Sequence, residues 1–440
     1  MRTYPEIGIQ FPKILLPKYG TDMQKWATIA CDQFTSEPEY WDKVAEIADN
    51  APSTFNLVLP EVYLGTDKET ERLKQTNQTM RSYLEQGLFD TYTQPIYIER
   101  TSLGKTRKGL MIAVDLERYD FSKGSQSLIR ATEGTILDRL PPRIRIREGA
   151  TLELPHILIL IDDPDNTVIG PVETSKASLD KIYDFDLMLG SGHLAAWNVS
   201  DTRLTDGIVS ALGKLADPDA FHRKYDVGSD KGVLLFAVGD GNHSLATAKS
   251  IWESIKDKVG MDHPARYAMV ELENVHDSGL EFEPIHRVLF GINEEPLSAL
   301  TQFFGDKVDI AGTDSFLSMK HEVDHQVGAA QKFGLVDPSG TYVVSVTEAQ
   351  SNLPVGTLQG FLDAWVKSGN GGNIDYVHGA DVVKKLGAKS GNCGFYLPGM
   401  KKTDLFKTVI LDGALPRKTF SMGEAVEKRF YVEARKIRTD

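Results

Sequence analysis

Apolar and polar positions alternate with two different periods along this chain, and the period predicts the element. "PIYIERTSLGKTRKGLMIAVDLERYD" (95–120) reads as two strands around a glycine-containing loop, a hairpin signal. "FNLVLPEVYL" (55–64), "HLAAWNVSD" (193–201), "RYAMVELENV" (266–275) and "GLEFEPIHRVLFGI" (279–292) read as further extended segments, and "PHILILIDDPDNTVIGPV" (155–172) as a second hairpin about an Asp-Pro-Asp-Asn turn. Helical spacing predicts helices near 39–49, over 67–89 with Leu73, Met80 and Leu84 inward, and at "TRLTDGIVSALGKL" (202–215). Beyond residue 293 helix and strand alternate, and the glycine-rich "SGNGGNIDYVHGAD" (368–381) reads as a loop or linker. With no run of evenly spaced strand–helix units, the fold class is α+β, with mixed sheets and flanking helices. The expected organisation is a core over 1–292, a smaller α/β subdomain or insertion over 293–385, and a C-terminal segment, 386–440, that packs back on the core.

One segment does not fit a purely structural reading. In "VLLFAVGDGNHSLATAKSIW" (233–252) an apolar strand runs into Gly-Asp-Gly-Asn-His-Ser and then directly into a helix. Leu245, Ala248, Ile251, Trp252 and Ile255 are spaced for one buried face. The polar cluster therefore lies at a helix N-terminus, where backbone N–H groups lack intrahelical partners and the helix dipole is positive. Phosphate groups bind such ends, and Gly239 and Gly241 permit a close backbone approach. A plain capping role for Asp240 or Asn242 accounts for the same letters. The segment is neither a Walker A loop nor a GxGxxG motif.

Composition narrows the partners. With 49 Lys and Arg against 62 Asp and Glu, the net charge is -13, unfavourable for nucleic acid or an anionic membrane. Neither a signal-peptide core nor an apolar run of membrane-spanning length occurs, so a cytoplasmic protein that handles small molecules is expected; a homo-oligomer is left open. The two cysteines, Cys31 and Cys393, fit reduced core positions.

Several segments together resemble the bacterial and archaeal family catalogued as domain of unknown function 1015. "AVGDGNHSLATAKS" is similar to its "ADGHHRYETA" signature, "IRATEGTILDR" (129–139) to its "HExT…DR" segment, "LEFEPIHRVLF" to its Pro-Thr-His-Arg element, and "ALPRKTFSM" to its C-terminal "MPxKSTxFxPK". "PHILILIDDPDN" and "LAAWNVSD" resemble its intervening strands. The signature in turn resembles the nucleotide-binding element of the ParB/sulfiredoxin superfamily, which includes kinases of free serine.

The resemblance implies a ParB/sulfiredoxin-like core and a nucleotide-dependent phosphotransferase. Its acceptor would be a small hydroxylated metabolite such as a free amino acid, and its cofactor ATP or ADP with Mg²⁺. A non-catalytic nucleotide-binding regulatory protein and a phosphate-ester hydrolase are the alternatives. Gly239, Gly241, Asn242, His243 and Ser244 would form the cradle, with His286, Arg287 and Arg139 also on the nucleotide. Asp240 would hold Mg²⁺ or act with His243, Glu133 and Asp32 in catalysis. The chain departs from the family where Asn242 and Ser244 replace His and Arg. A serine hydroxyl cannot replace a charged two-pronged grip, so another cation must compensate or the activity has changed. Arg287, Arg139, Lys249 and Lys418 are the candidates.

Overall fold

The structure is a computed structural model that describes residues 1–439, apart from the side chain of Arg139. It comprises two compact units, Met1–Leu280 with Gly423–Asp440, and Glu281–Met422. The fold is α+β with mixed sheets.

The first unit is built on β1 (Ile9–Phe11), β2 (Ile96–Ser102), β3 (Lys105–Asp115), β4 (Ile129–Ala131), β5 (Leu158–Ile161), β6 (Asp180–Asp186), β7 (His193–Asn198), β8 (Phe236–Asp240) and β9 (Tyr267–Asn274). Their order is β6-β7-β2-β3-β9-β5-β8-β4, ending on Tyr119–Asp120, with β1 against β3. β5 runs parallel to β9 and antiparallel to β8, and β8 runs parallel to β4. Helices α1 (Pro38–Ala48), α2 (Glu69–Glu85), α3 (Leu140–Gly149), α4 (Thr202–Leu215) and α5 (Asn242–Val259) flank it.

Strand side chains alternate between faces, and both faces are covered. Tyr97, Ile159, Val238, Ile208, Leu212, Leu245 and Trp252 share one core. Ile96, Ile98, Met111, Met269, Trp26, Trp41 and Met80 share the other. Full burial of one such aliphatic side chain contributes roughly 1.5–3 kcal/mol, so Leu245, Ala248 and Trp252 fix how α5 lies on the sheet. Ile255 packs at the edge of that core, as the spacing predicts.

The last segment of the chain is tied into this unit. Phe430–Tyr431 pairs antiparallel with Thr28–Ile29, just ahead of Cys31 and Asp32. The buried Arg429 guanidinium donates to Glu271 (2.7 Å), Glu433 (2.6 Å) and the Pro155 carbonyl (2.7 Å). It thereby fixes the backbone on both sides of itself and next to His156.

The second unit holds an antiparallel sheet of β10 (Phe282–Phe290), β11 (Val308–Thr313), β12 (Gln331–Asp337), β13 (Gly340–Val346), β14 (Asn373–His378), β15 (Asn392–Tyr396) and β16 (Phe420–Met422). Its order is β11-β13-β12-β15-β10-β14, with β16 on the first residues of β10. Sequence reading placed β10 before its division at 292. The hydrogen bonds of β10 to β14, β15 and β16 group it with the second unit.

Three local expectations are corrected. Residues 55–64 form short 3-10 turns, Thr54–Leu57 and Glu61–Tyr63, because the Ser53 hydroxyl accepts the Phe55 N–H (3.2 Å) and Pro60 interrupts any ladder. Residues 155–172 are no hairpin: Asp163 accepts the Val168 N–H (2.8 Å), the chain turns into helix Gly170–Ser175, and β5 finds its partners in β8 and β9. The glycine-rich 368–381 stretch contains β14.

Candidate functional site

The strand-to-helix junction is shaped by its glycines. The register of β5 and β8 shifts between Leu158 and Ile159, which leaves Gly239 as the extra residue of a bulge before Asp240. Gly241 sits at φ +80°, and a Cβ there would lie 3.0–3.1 Å from Ile157, so conformation and space both require glycine. Gly241 is the N-cap of α5, and it provides no side-chain cap. The first intrahelical bond is Leu245 N–H to Gly241 carbonyl (3.0 Å). The Asn242 and Ser244 amides precede it and, as at any helix start, have no carbonyl within the helix to meet.

Asp240 does not stand alone. Its Oδ2 accepts from Lys428 Nζ at 3.1 Å, and its Oδ1 from the Gly241 amide at 2.9 Å. Burial pushes its carboxyl up, but Lys428, His156 and the Gly241 amide outweigh burial and hold it below the usual range. Lys428 comes from the C-terminal segment and was not among the cations foreseen. Of those, Lys249 binds Glu253 (2.5 Å) and the Leu116 carbonyl (2.9 Å). Lys418 belongs to the second unit.

Asn242 and His243 hold a loop. The Asn242 amide oxygen accepts the Thr132 N–H (3.1 Å), its amide nitrogen donates to the Thr132 hydroxyl (3.3 Å), and that hydroxyl donates to the Val238 carbonyl (2.6 Å). His243 Nε2 accepts the Ile136 N–H at 3.4 Å. Segment 132–136, carrying half-buried Glu133, is thereby brought to the start of α5. Arg139 lies in the next turn, Leu137–Arg139, and its side chain falls outside the described residues.

Ser244 leads to a second rank of groups. Its Oγ lies 3.0 Å from His156 Nε2, and His156 Nδ1 lies 2.7 Å from the Tyr431 hydroxyl. That hydroxyl donates to Cys31 Sγ (3.1 Å) and accepts the Cys31 N–H (3.2 Å). Asp32 Oδ2 is 3.8 Å from His156 Nε2. Glu61, whose N–H donates to the Cys31 carbonyl (2.7 Å), is held by Arg143 at 2.5 Å. Burial raises the Glu61 carboxyl; Arg143 opposes this and Asp32 adds to it. Burial and then Asp32 push the Cys31 thiol far up, which removes it as a nucleophile near neutral pH.

His286 and Arg287 lie on β10, inside the second unit. Arg287 is fully buried and donates to Gln359 (3.2 Å), the Ile285 carbonyl and the Arg417 carbonyl (3.0 Å). His286 Nδ1 accepts the Leu397 N–H (3.1 Å), and its ring stacks on Tyr396 at 4.6 Å. Burial first, then Arg287, lowers its pKa to about 4.

Lys428, His156, Tyr431, Glu61 and Arg143 were missed from the sequence. Only His156 had a local signal, a histidine at the polar edge of the apolar run "HILILI".

The site thus joins a glycine-shaped strand end, a helix start without a side-chain cap and an ammonium 3.1 Å from Asp240, on a mixed sheet. Residues 15–365 match the family described as "Protein of unknown function (DUF1015)", and the chain belongs to that family. No curated protein matches the sequence. Among solved structures it is similar to a conserved hypothetical protein from Pyrococcus furiosus, at 10% identity and TM-score 0.37, covering 77% of this chain and 98% of that one. It is similar to a free serine kinase in complex with ADP at 10% identity and TM-score 0.37, covering 74% and 92%. It is also similar to SbnI from Staphylococcus aureus at 9% identity and TM-score 0.34, covering 71% and 83%. Likenesses this distant carry no functional inference. No helix among the described residues is long and apolar enough to cross a membrane.

Proposed function

We propose that the chain binds a nucleotide through the start of α5 and transfers a phosphoryl group to a small hydroxylated metabolite, a free amino acid such as serine among the acceptors. The observation that carries this reading is the Lys428 ammonium beside Asp240 at a helix start that has no side-chain cap. Helix amides and a nearby ammonium bind phosphate by charge-assisted hydrogen bonds. In this reading Lys428 supplies the positive charge that Ser244 lacks. Phosphoryl transfer asks chiefly for positioning and charge neutralisation, and this arrangement offers both.

The Mg²⁺ expected with ATP or ADP has no matching protein-built cluster. Among the described residues no group of three or more His, Cys, Asp or Glu side chains is arranged to hold a metal ion, and Asp240 is given over to Lys428. No step is therefore routed through a metal. Asp32, 3.8 Å from His156 Nε2, is the carboxylate that serves the acceptor hydroxyl in this reading.

A non-catalytic nucleotide-binding protein is the second reading, favoured by the use of Asn242 and His243 to hold the 132–136 loop. Thermal shift with ADP, ATP, CTP and inorganic phosphate tests both. A ligand at about 100-fold excess over Kd stabilises by about 2.7 kcal/mol. A shift with nucleotide and phosphorylated product from pooled amino acids supports the phosphotransferase. A shift without product supports the second reading, and no shift with any of the four removes both.

A further inference from the structure

Both ring nitrogens of His156 meet hydroxyls. Nδ1 lies 2.7 Å from the Tyr431 hydroxyl, which lies 3.1 Å from Cys31 Sγ and accepts the Cys31 N–H (3.2 Å). In the tautomer with the proton on Nδ1, the Tyr431 hydroxyl accepts it, and the bare Nε2 accepts the Ser244 hydroxyl at 3.0 Å. Asp32 Oδ2 lies 3.8 Å from Nε2. Ser244 lies in the first turn of α5, whose amides and dipole stabilise negative charge developing beside it.

A hydroxyl on the bare nitrogen of an imidazole, with the other nitrogen held by a third group, is the geometry of an activated nucleophile. We infer that Ser244 is a nucleophilic serine, with His156 as its general base and Tyr431 as the residue that positions His156, and that it attacks electrophilic phosphorus. In the step the Ser244 O–H bond breaks and its proton passes to His156 Nε2. The Ser244 Oγ–P bond forms, and the bond from phosphorus to the leaving group breaks, the leaving group departing with the electron pair. With a nucleoside triphosphate the leaving group is the nucleoside diphosphate. Only this choice of natural donor rests on the nucleotide reading; the serine–histidine pair stands on the distances themselves.

The test is labelling of the full chain by an alkyl fluorophosphonate, for which the leaving group is fluoride, followed by peptide mass spectrometry and by circular dichroism of each variant. The expected result is label on Ser244, absent in Ser244→Ala. The rate should fall by about 10²-fold in His156→Gln and by about tenfold in Tyr431→Phe, with the folds retained. Folded wild type without label at Ser244, or His156→Gln labelling at the wild-type rate, overturns the inference. ADP titration of the same samples keeps the two readings apart. Label without ADP binding fails the nucleotide reading and leaves the reactive serine standing; ADP binding without label does the reverse.

Discussion

Two histidines in this chain look alike on paper and differ in everything around them. His156 in "LPHILILI" and His286 in "EPIHRVLF" both sit at the edge of an apolar run just after a proline. In the first unit both ring nitrogens of His156 meet side-chain hydroxyls, Ser244 and Tyr431, with Asp32 nearby. In the second unit His286 has Nδ1 occupied by a backbone N–H and its ring laid on Tyr396, and burial lowers its pKa to about 4. What separates a histidine available for proton transfer from one that packs is the group opposite it, and that group is contributed by distant chain.

The sharpest way to break this comparison is to exchange each histidine for glutamine. For His156→Gln we expect phosphoryl transfer to fall by about 10²–10⁴-fold, with little change in melting temperature. Steady-state kinetics beside a melting curve checks it; an unchanged rate removes His156 from the chemistry.

The second prediction concerns pH and His286. A histidine whose folded pKa lies near 4 while its unfolded value is 6.5 stays neutral in the folded chain. The unfolded state binds the proton first. Stability is therefore complete above pH 6.5 and is lost as pH falls toward 4, by about 3 kcal/mol in total. Denaturant titrations of wild type and His286→Gln at pH 7 and 5 should show a smaller acid loss in the variant. Equal losses would mean that His286 is not the responsible group.

The elements that carry the site were largely legible. The strand into Gly-Asp-Gly-Asn-His-Ser, the helix after it and the inward face Leu245, Ala248, Ile251 and Trp252 all follow from local spacing, and the structure has them. The 95–120 hairpin is also present, as β2 and β3. The errors arose where local pattern is ambiguous. "FNLVLPEVYL" has strand composition, but Ser53 and Pro60 turn it into 3-10 structure. The missing members of the site had no local signal. Lys428 reaches Asp240 across 188 positions, and Tyr431 reaches His156 across 275. Their placement depends on the buried Arg429 ion pairs, which no periodicity reveals. For Asp240, a magnesium or catalytic role follows from the resemblance, and its partner ammonium, Lys428, is invisible from that segment.

Two smaller effects sharpen the account of the helix start. Gly241→Ala places a side chain at φ +80° against Ile157. It should destabilise the fold by about 2 kcal/mol and weaken ADP binding, as read by denaturant titration and calorimetry. Lys428→Gln removes the ammonium and leaves Asp240 without its cation. Nucleotide affinity should fall about tenfold, which is about 1.4 kcal/mol, and its dependence on salt should flatten. An unchanged Kd in Lys428→Gln would mean that this ammonium serves Asp240 alone.

Whether the start of α5 is a phosphate site is decided by a crystal structure of the complex with ADP. The terminal phosphate is expected within hydrogen-bond reach of the Asn242 to Ser244 amides and of Lys428 Nζ. ADP bound elsewhere on the chain, with these amides untouched, would contradict it.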